Sequence, residues 1–181
     1  MPGLPTTPRT QPRPAPRAGV RHHRRVPPLP PRGPSEPDPD DASETCPGCG
    51  TVLAAVPDAV PGHPGASASC FRLFEVTVGG LREDAEADPS TAQLVRLADA
   101  AYDAQHPVPG DARRLDTALE RLAGMLGTRP AVSSRPQTRP GAWRTTVADA
   151  AADLDVIDLR VLVEAWARAV HEDWAGVVHG Y

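Results

Sequence analysis

The clearest hydrophobic periodicity in the chain lies near its C-terminus. From about Asp155 to Val178, apolar residues recur every three or four positions, which is the spacing of a helix with one face in a core. The stripe comprises Leu159, Val163, Trp166, Val170, Trp174 and Val177. We therefore predict a long C-terminal helix that buries two tryptophans.

Two earlier segments show the same period and have clear ends. In "DPSTAQLVRLADAAYDAQHP", Pro89 and Ser90 mark the start, and Pro107 prevents continuation, which places His106 at the helix end. The predicted buried face is Leu94, Leu97, Ala98, Ala101, Tyr102 and Gln105. In "DARRLDTALERLAGMLG", Gly127 is the stop signal, and the apolar face is Leu115, Ala118, Leu119, Leu122, Met125 and Leu126.

A fourth helix is predicted to begin after Ser67, an N-cap residue three positions before Cys70. Its apolar face would be Phe71, Phe74, Val78 and Leu81. The stretch "FEVTV" also fits a strand, and Gly79 and Gly80 weaken any helix, so a strand remains the alternative.

These patterns predict a mainly α fold: a single domain of four to five helices over residues 45–181. A Cys/His loop resembling a zinc knuckle, with turns and at most one short strand, would occupy 45–70, and a mobile loop would occupy 128–142. Residues 1–44 contain thirteen of the 23 prolines and seven arginines but few large apolar side chains. Such a segment cannot offset the entropy lost on ordering, so we predict a disordered tail.

Charge and hydropathy limit the classes of partner. Residues 45–181 carry twelve Arg against eighteen acidic residues, a poor match for a phosphate backbone, so nucleic acid is an unlikely partner. The sequence contains no run of about 18 apolar residues, so we predict no membrane span. The Pro/Arg-rich tail could dock on a partner protein in polyproline form, which leaves an interaction module as one hypothesis.

The stretch "CPGCG" carries the strongest chemical signal. Cys46 and Cys49 are two residues apart, and Cys70 is the only other cysteine. The N-terminus has no apolar segment typical of a secretory signal, so we expect a cytoplasmic protein. In a reducing compartment, thiols bind metal in preference to forming structural disulfides. A redox role is disfavoured because the motif leads into Gly and β-branched residues rather than into a helix.

The pattern C-x2-C-x13-H-x6-C offers four zinc ligands, with His63 between the two cysteine groups. Cys70 in a first helical turn would be a good ligand, since the positive helix end stabilises a thiolate. His106 is the competing candidate, although a histidine at a helix C-terminus commonly interacts with the last carbonyl groups. The remaining histidines, His22, His23, His171 and His179, are weaker candidates.

A structural zinc site is therefore the leading hypothesis. The alternative is a zinc enzyme with an open metal position, in which His106 or His63 acts as acid or base. The acidic clusters "EDAEAD" and "DLDVID" are typical of solvated helix faces, and no phosphate loop, nucleophile elbow or HExxH motif is present. The enzyme class thus has the weaker support.

The order of "CPGCG", "GHPGASASCFRLF", "LADAAYDAQHP" and "TVADAA…LVEAWARAVHEDW" resembles a bacterial family of domains of unknown function. Its members carry CPxCG, a His-Pro, a Cys just inside a helix, and a tyrosine-containing helix that ends in QHP. The resemblance covers most of residues 45–181. It implies that one cluster comprises Cys46, Cys49, His63, Cys70 and His106, which is one residue more than zinc requires.

Overall fold

The structure, a computed structural model, describes residues 42–60, 62–129 and 139–179. Within these ranges the chain forms five helices and one small antiparallel sheet. The elements are β1 (Ser43–Thr45), β2 (Val52–Ala54), α1 (Ala68–Asp84), α2 (Pro89–Gln105), α3 (Ala112–Leu126), α4 (Val147–Ala152) and α5 (Leu159–His179). The predicted mainly α fold is confirmed.

The first two elements form a short hairpin. Ser43 pairs with Ala54, and Thr45 pairs with Val52, so six residues from Cys46 to Thr51 connect the strands. Two strands of three residues are too short to be stable alone. The hairpin was predicted only as a loop with turns and at most one strand, because strands of this length leave no period to detect.

Three of the four predicted helices begin or end at the cap residues that the sequence indicated. The Ser67 side chain accepts the backbone N–H of Cys70, and α2 ends at Gln105 with His106 as its C-cap. The N-cap of α2 is Asp88, one residue before the predicted start, and its carboxylate accepts the backbone N–H groups of Ser90 and Thr91. Helix α3 ends at Gly127, whose φ of 66° lies in the left-handed region that glycine tolerates best. The strand alternative for "FEVTV" is wrong, since this stretch lies inside α1.

Helix α5 begins at Leu159, later than the predicted start near Asp155. The carboxylate of Asp158 accepts the backbone N–H of Arg160 at 2.8 Å, and its carbonyl accepts that of Leu162 at 3.1 Å, so Asp158 caps the helix. Residues 153–157 form an exposed turn before it. Helix α4, which the hydrophobic pattern did not resolve, is a single short segment capped at Thr146.

The core lies where α2 packs against α3, α5 and α1. Trp166 and Trp174 of α5 are almost completely buried, as is Tyr102 of α2. The indole of Trp174 donates to the carbonyl of Ala104 at 3.0 Å, and that of Trp166 donates to the Gln105 side chain at 3.1 Å. The predicted tryptophan stripe therefore fastens α5 to the C-terminal end of α2.

Some predictions fall on residues that the structure does not describe. The predicted tail lies outside the described residues up to position 41, with His22 and His23, as does 130–138 of the predicted mobile loop. The side chains of Val177 and His179 are likewise outside the description. No helix in the described part of the chain is both long and apolar enough to cross a membrane.

Candidate metal centre

Four side chains from three parts of the chain converge at one end of the core. The ligand atoms of Cys46, Cys49, Cys70 and His106 all lie within 4.8 Å of one another. The sulfurs of Cys49 and Cys70 are 3.8 Å apart, and Nε2 of His106 is 3.3 Å from the Cys70 sulfur. All four residues are buried, with at most 6% of their surface exposed.

The hairpin turn presents the first two thiols. The backbone N–H of Gly50 donates to the carbonyl of Cys46 at 2.9 Å, which closes a tight turn around both sulfurs. Gly50 has a φ of 77°, a conformation that a residue with a Cβ adopts only with strain. The hydroxyl of Thr51 lies 3.3 Å from the Cys49 sulfur and can donate to a thiolate.

The first turn of α1 presents the third thiol. Ser67 caps this helix and also donates its backbone N–H to the sulfur of Cys46 at 3.4 Å. The same turn is held to the hairpin because the N–H of Ser69 donates to the Glu44 carboxylate at 2.7 Å. Cys70 is therefore fixed both by the helix cap and by contacts to β1.

The C-terminal end of α2 presents the histidine. Nδ1 of His106 lies 2.8 Å from the carbonyl oxygen of Tyr102, so this nitrogen carries the proton and donates it. When the ring is neutral, the lone pair on Nε2 therefore faces the thiols, which is the tautomer that a metal ion requires. The Tyr102 hydroxyl adds a contact of 3.7 Å to the sulfur of Cys70.

The three buried thiols cannot all lose their protons without an electrostatic cost. The pKa of Cys46 is lowered because the thiols of Cys49 and Cys70 hydrogen-bond to its sulfur. The pKa of Cys70 is raised by the corresponding bonds to Cys46 and Cys49, with burial adding to the effect. Burial alone would lower the pKa of His106, yet its contacts with the Cys46 and Cys49 thiols raise it to about 9. A bound cation would relieve this accumulation of negative charge.

The donor set fits a tetrahedral metal ion. With a metal–sulfur bond of about 2.3 Å, two thiolates on one zinc ion lie roughly 3.8 Å apart, and a thiolate and an imidazole nitrogen about 3.5 Å. The observed separations of 3.8 Å between Cys49 and Cys70 and 3.3 Å between Cys70 and His106 agree with these values. Three thiolates and one imidazole are ligands typical of zinc.

His63 does not join this group. Its Nε2 lies 2.9 Å from the Asp103 carboxylate, and its Nδ1 accepts the backbone N–H of Gly65 at 3.1 Å, so both ring nitrogens have partners. The ring is buried 6.0 Å from that of His106, measured between centroids. The structure thus brings together four of the five candidate ligands, and of the two histidines it brings His106 to the thiols.

Four residues that the sequence analysis did not single out complete the site. A Cβ at Gly48 would overlap the ring of His106, and one at Gly65 would overlap its carbonyl group. From the segment before α4, Trp143 donates its indole N–H to the carbonyl of Gly48 at 3.1 Å, and Arg139 donates to that of Pro47. No spacing along the chain indicated these contacts, since residues more than ninety positions apart form the last two.

His171 lies away from the thiols. Its ring nitrogen Nε2 is 3.2 Å from the Thr128 hydroxyl and 3.0 Å from the carbonyl oxygen of Arg129. The side chain is buried at the end of α3 and links this end to α5. Among the described residues it is not part of the Cys/His cluster.

Comparison with known proteins gives one result. No curated protein and no solved structure matches the chain. A family of unknown function, DUF5946, matches residues 44–175, which include the hairpin, the Cys/His cluster and most of α5. The match spans well over half of the chain and agrees with the resemblance seen in its motifs. The chain therefore belongs to the family of unknown function DUF5946.

Proposed function

We propose that this chain is a cytoplasmic zinc-binding protein in which Cys46, Cys49, Cys70 and His106 hold one structural zinc ion. The zinc ties the hairpin to the first turn of α1 and to the end of α2. The observation that carries this proposal is the closed, buried set of four nitrogen and sulfur donors within 4.8 Å of one another. Reduced, unpaired cysteines fit a reducing compartment.

A structural role is favoured over a catalytic one by the number and burial of the donors. Structural zinc sites use four protein ligands, whereas catalytic sites keep one position for water or substrate. Here the four donors suffice for a tetrahedron, and Thr51, Ser67 and Tyr102 supply the surrounding hydrogen bonds. Binding free energy at such a site contributes directly to folding.

Elemental analysis of the purified full chain tests the proposal. We expect close to one zinc per chain, lost in Cys70→Ser and in His106→Ala. His63→Ala is the matched control, since His63 is a buried histidine beside the site that has other partners, and it should retain zinc. Less than about a tenth of an equivalent of any metal in the folded chain would contradict the proposal.

X-ray absorption at the zinc edge separates the structural proposal from the zinc-enzyme alternative. A shell of three sulfurs and one nitrogen is expected. An oxygen ligand in place of His106 would contradict the closed site and would support an open metal position. Zinc retained in His106→Ala but lost in His63→Ala would show that His63, and not His106, is the fourth ligand.

A further inference from the structure

A groove runs between α2 and α3, outside the metal cluster. Two adjoining pockets form it, with volumes of about 410 and 440 Å³, and both are lined by Asp103 and Arg121. Each volume falls within the range of small-molecule sites, roughly 300–1,000 Å³. The groove extends past Arg96 at one end and Arg113 at the other.

The acidic residues of the groove already have partners within the protein. Asp99 accepts a hydrogen bond from Arg82 of α1 at 2.7 Å, and Asp103 accepts one from Arg114 at 3.0 Å. The carboxylate of Asp111 caps α3, accepting the backbone N–H of Arg114 at 3.0 Å. Two of the three carboxylates are therefore paired with a guanidinium group, and the third lies at the positive N-terminal end of α3.

Three arginines that line the same groove have no such partner. The guanidinium groups of Arg96, Arg113 and Arg121 form no ion pair or side-chain hydrogen bond with any residue that the structure describes. The groove therefore has a local excess of positive charge, although residues 45–181 are acidic as a whole. Guanidinium groups bind carboxylate, sulfonate and phosphate through paired, charge-assisted hydrogen bonds.

The part of the groove between Arg96 and Arg121 is mainly apolar. Ala100, Gly124 and Met125 line it, and a Cβ built on Gly124 would meet no atom within 4 Å. Because Gly124 lines this pocket from within α3, a larger side chain at this position would project into the groove. A ligand that fills this space needs an apolar body as well as a charge.

We propose that the groove between α2 and α3 binds a small organic anion with an apolar body, whose acidic group contacts Arg121 together with Arg96 or Arg113. Charge complementarity selects the anion, and the apolar lining selects against a bare inorganic ion. This site does not depend on the proposed zinc site, since none of its residues is a candidate ligand.

Fluorescence titration of the full chain with anilinonaphthalene sulfonate tests the proposal, because this dye combines an apolar body with one sulfonate. Neutral phenylnaphthylamine is the matched probe without the charge. Saturable binding of the sulfonate is expected, weakened about tenfold in Arg121→Gln, which corresponds to one charge-assisted contact. The affinity for the neutral probe should change little in that variant.

Gly124→Leu fills the apolar part of the groove and should abolish binding of both probes. Gly80→Leu is the control, since Gly80 is also an exposed helical glycine with no atom within 4 Å of an added Cβ. Circular dichroism verifies that each variant is folded. Unchanged sulfonate binding in Gly124→Leu, or equal weakening of both probes in Arg121→Gln, would overturn the proposal.

Discussion

The hairpin end of the molecule, residues 43–66, and the helical core around α2 are stabilised in different ways. In the described part of the hairpin end, the buried side chains are mainly those of Cys46, Cys49 and His63. The core instead buries Trp166 and Trp174 among leucine, valine and alanine side chains. One region thus gathers potential metal ligands, whereas the other is stabilised by apolar area removed from water.

The two regions meet at the end of α2. Tyr102, Ala104 and Gln105 contact the core, whereas His106, the next residue, contacts the thiols. The carbonyl of Tyr102 accepts both the backbone N–H and the ring Nδ1 of His106, at 3.0 and 2.8 Å. The core therefore orients the histidine, and the histidine anchors the hairpin.

The largest effect should come from removing the proposed zinc ion. Treatment with a strong chelator is expected to abolish hydrogen-exchange protection over residues 43–66, because strands of three residues are not stable alone. Protection in α2 and α5 should persist, although the melting midpoint should fall by about 10 °C or more, since zinc binding contributes to folding. Equal loss of protection in both regions would show that they fold as one unit.

Disruption of the core is expected to have a smaller but more general effect. Trp166 is 1% exposed, and its replacement by Ala should cost about 3–5 kcal/mol of unfolding free energy. Trp166→Phe retains most of the packing but leaves the Gln105 side chain without its indole donor, at about 1–2 kcal/mol. Urea unfolding measures both. One zinc per folded chain should remain, and loss of zinc in the Phe variant would contradict the division between the regions.

The sequence predicts the core better than the hairpin end for a physical reason. Helices α2 and α3 have a regular apolar stripe and a local cap at Asp88 or Gly127, so the information lies within a few turns. Helix α4, with six residues, has too few positions to show a period. The two short strands of the hairpin are likewise invisible to periodicity.

The candidate site was predicted in its residue types but not in its final selection. Spacing along the chain indicated His63, whereas His106 entered as a competing candidate at a helix end and through the family resemblance. The choice depends on how α2 docks against the hairpin and on a hydrogen bond from Nδ1 of His106 to the chain one turn earlier. Those features are tertiary, as is the close approach of Gly48 to the histidine ring.

A third prediction concerns the boundary between the two regions. Gly48→Ala places a methyl group against the His106 ring and 2.6 Å from the carbonyl oxygen of Gly65, so the hairpin must shift. We expect zinc affinity to fall about tenfold and stability to fall by about 1–3 kcal/mol. Competition with a chromophoric chelator measures the affinity.

Gly80→Ala is the control for this substitution. An added Cβ there meets no atom within 4 Å, and replacement of a helical glycine by alanine should stabilise α1 by about 0.5–1 kcal/mol. Zinc affinity equal in Gly48→Ala and Gly80→Ala would show that the hairpin tolerates a displacement from α2.

The smallest predicted effect is the pH dependence of the contact between Asp103 and His63, which links the loop before α1 (the His63 loop) to α2. Burial tends to raise the pKa of Asp103, but its hydrogen bonds with His63 and Arg114 lower it below its usual value. The carboxylate is 26% exposed, so this link should contribute only about 1 kcal/mol. Since the pKa is lower in the folded chain, the contribution is present above the unfolded pKa of about 3.9 and is lost as the pH falls through the folded pKa.

Asp103→Asn should therefore be less stable than the wild type at neutral pH, and the difference should shrink as the pH falls below about 4. Urea unfolding followed by tryptophan fluorescence measures the difference in unfolding free energy between the variant and the wild type. Acid would release the proposed zinc ion from both proteins, so its loss does not affect the comparison. Asp99→Asn, which removes a more exposed ion pair with Arg82, should cost less. A difference between Asp103→Asn and the wild type that stays constant from neutral pH to about pH 3 would show that the Asp103 charge does not stabilise the His63 loop, because the proton then binds both states equally.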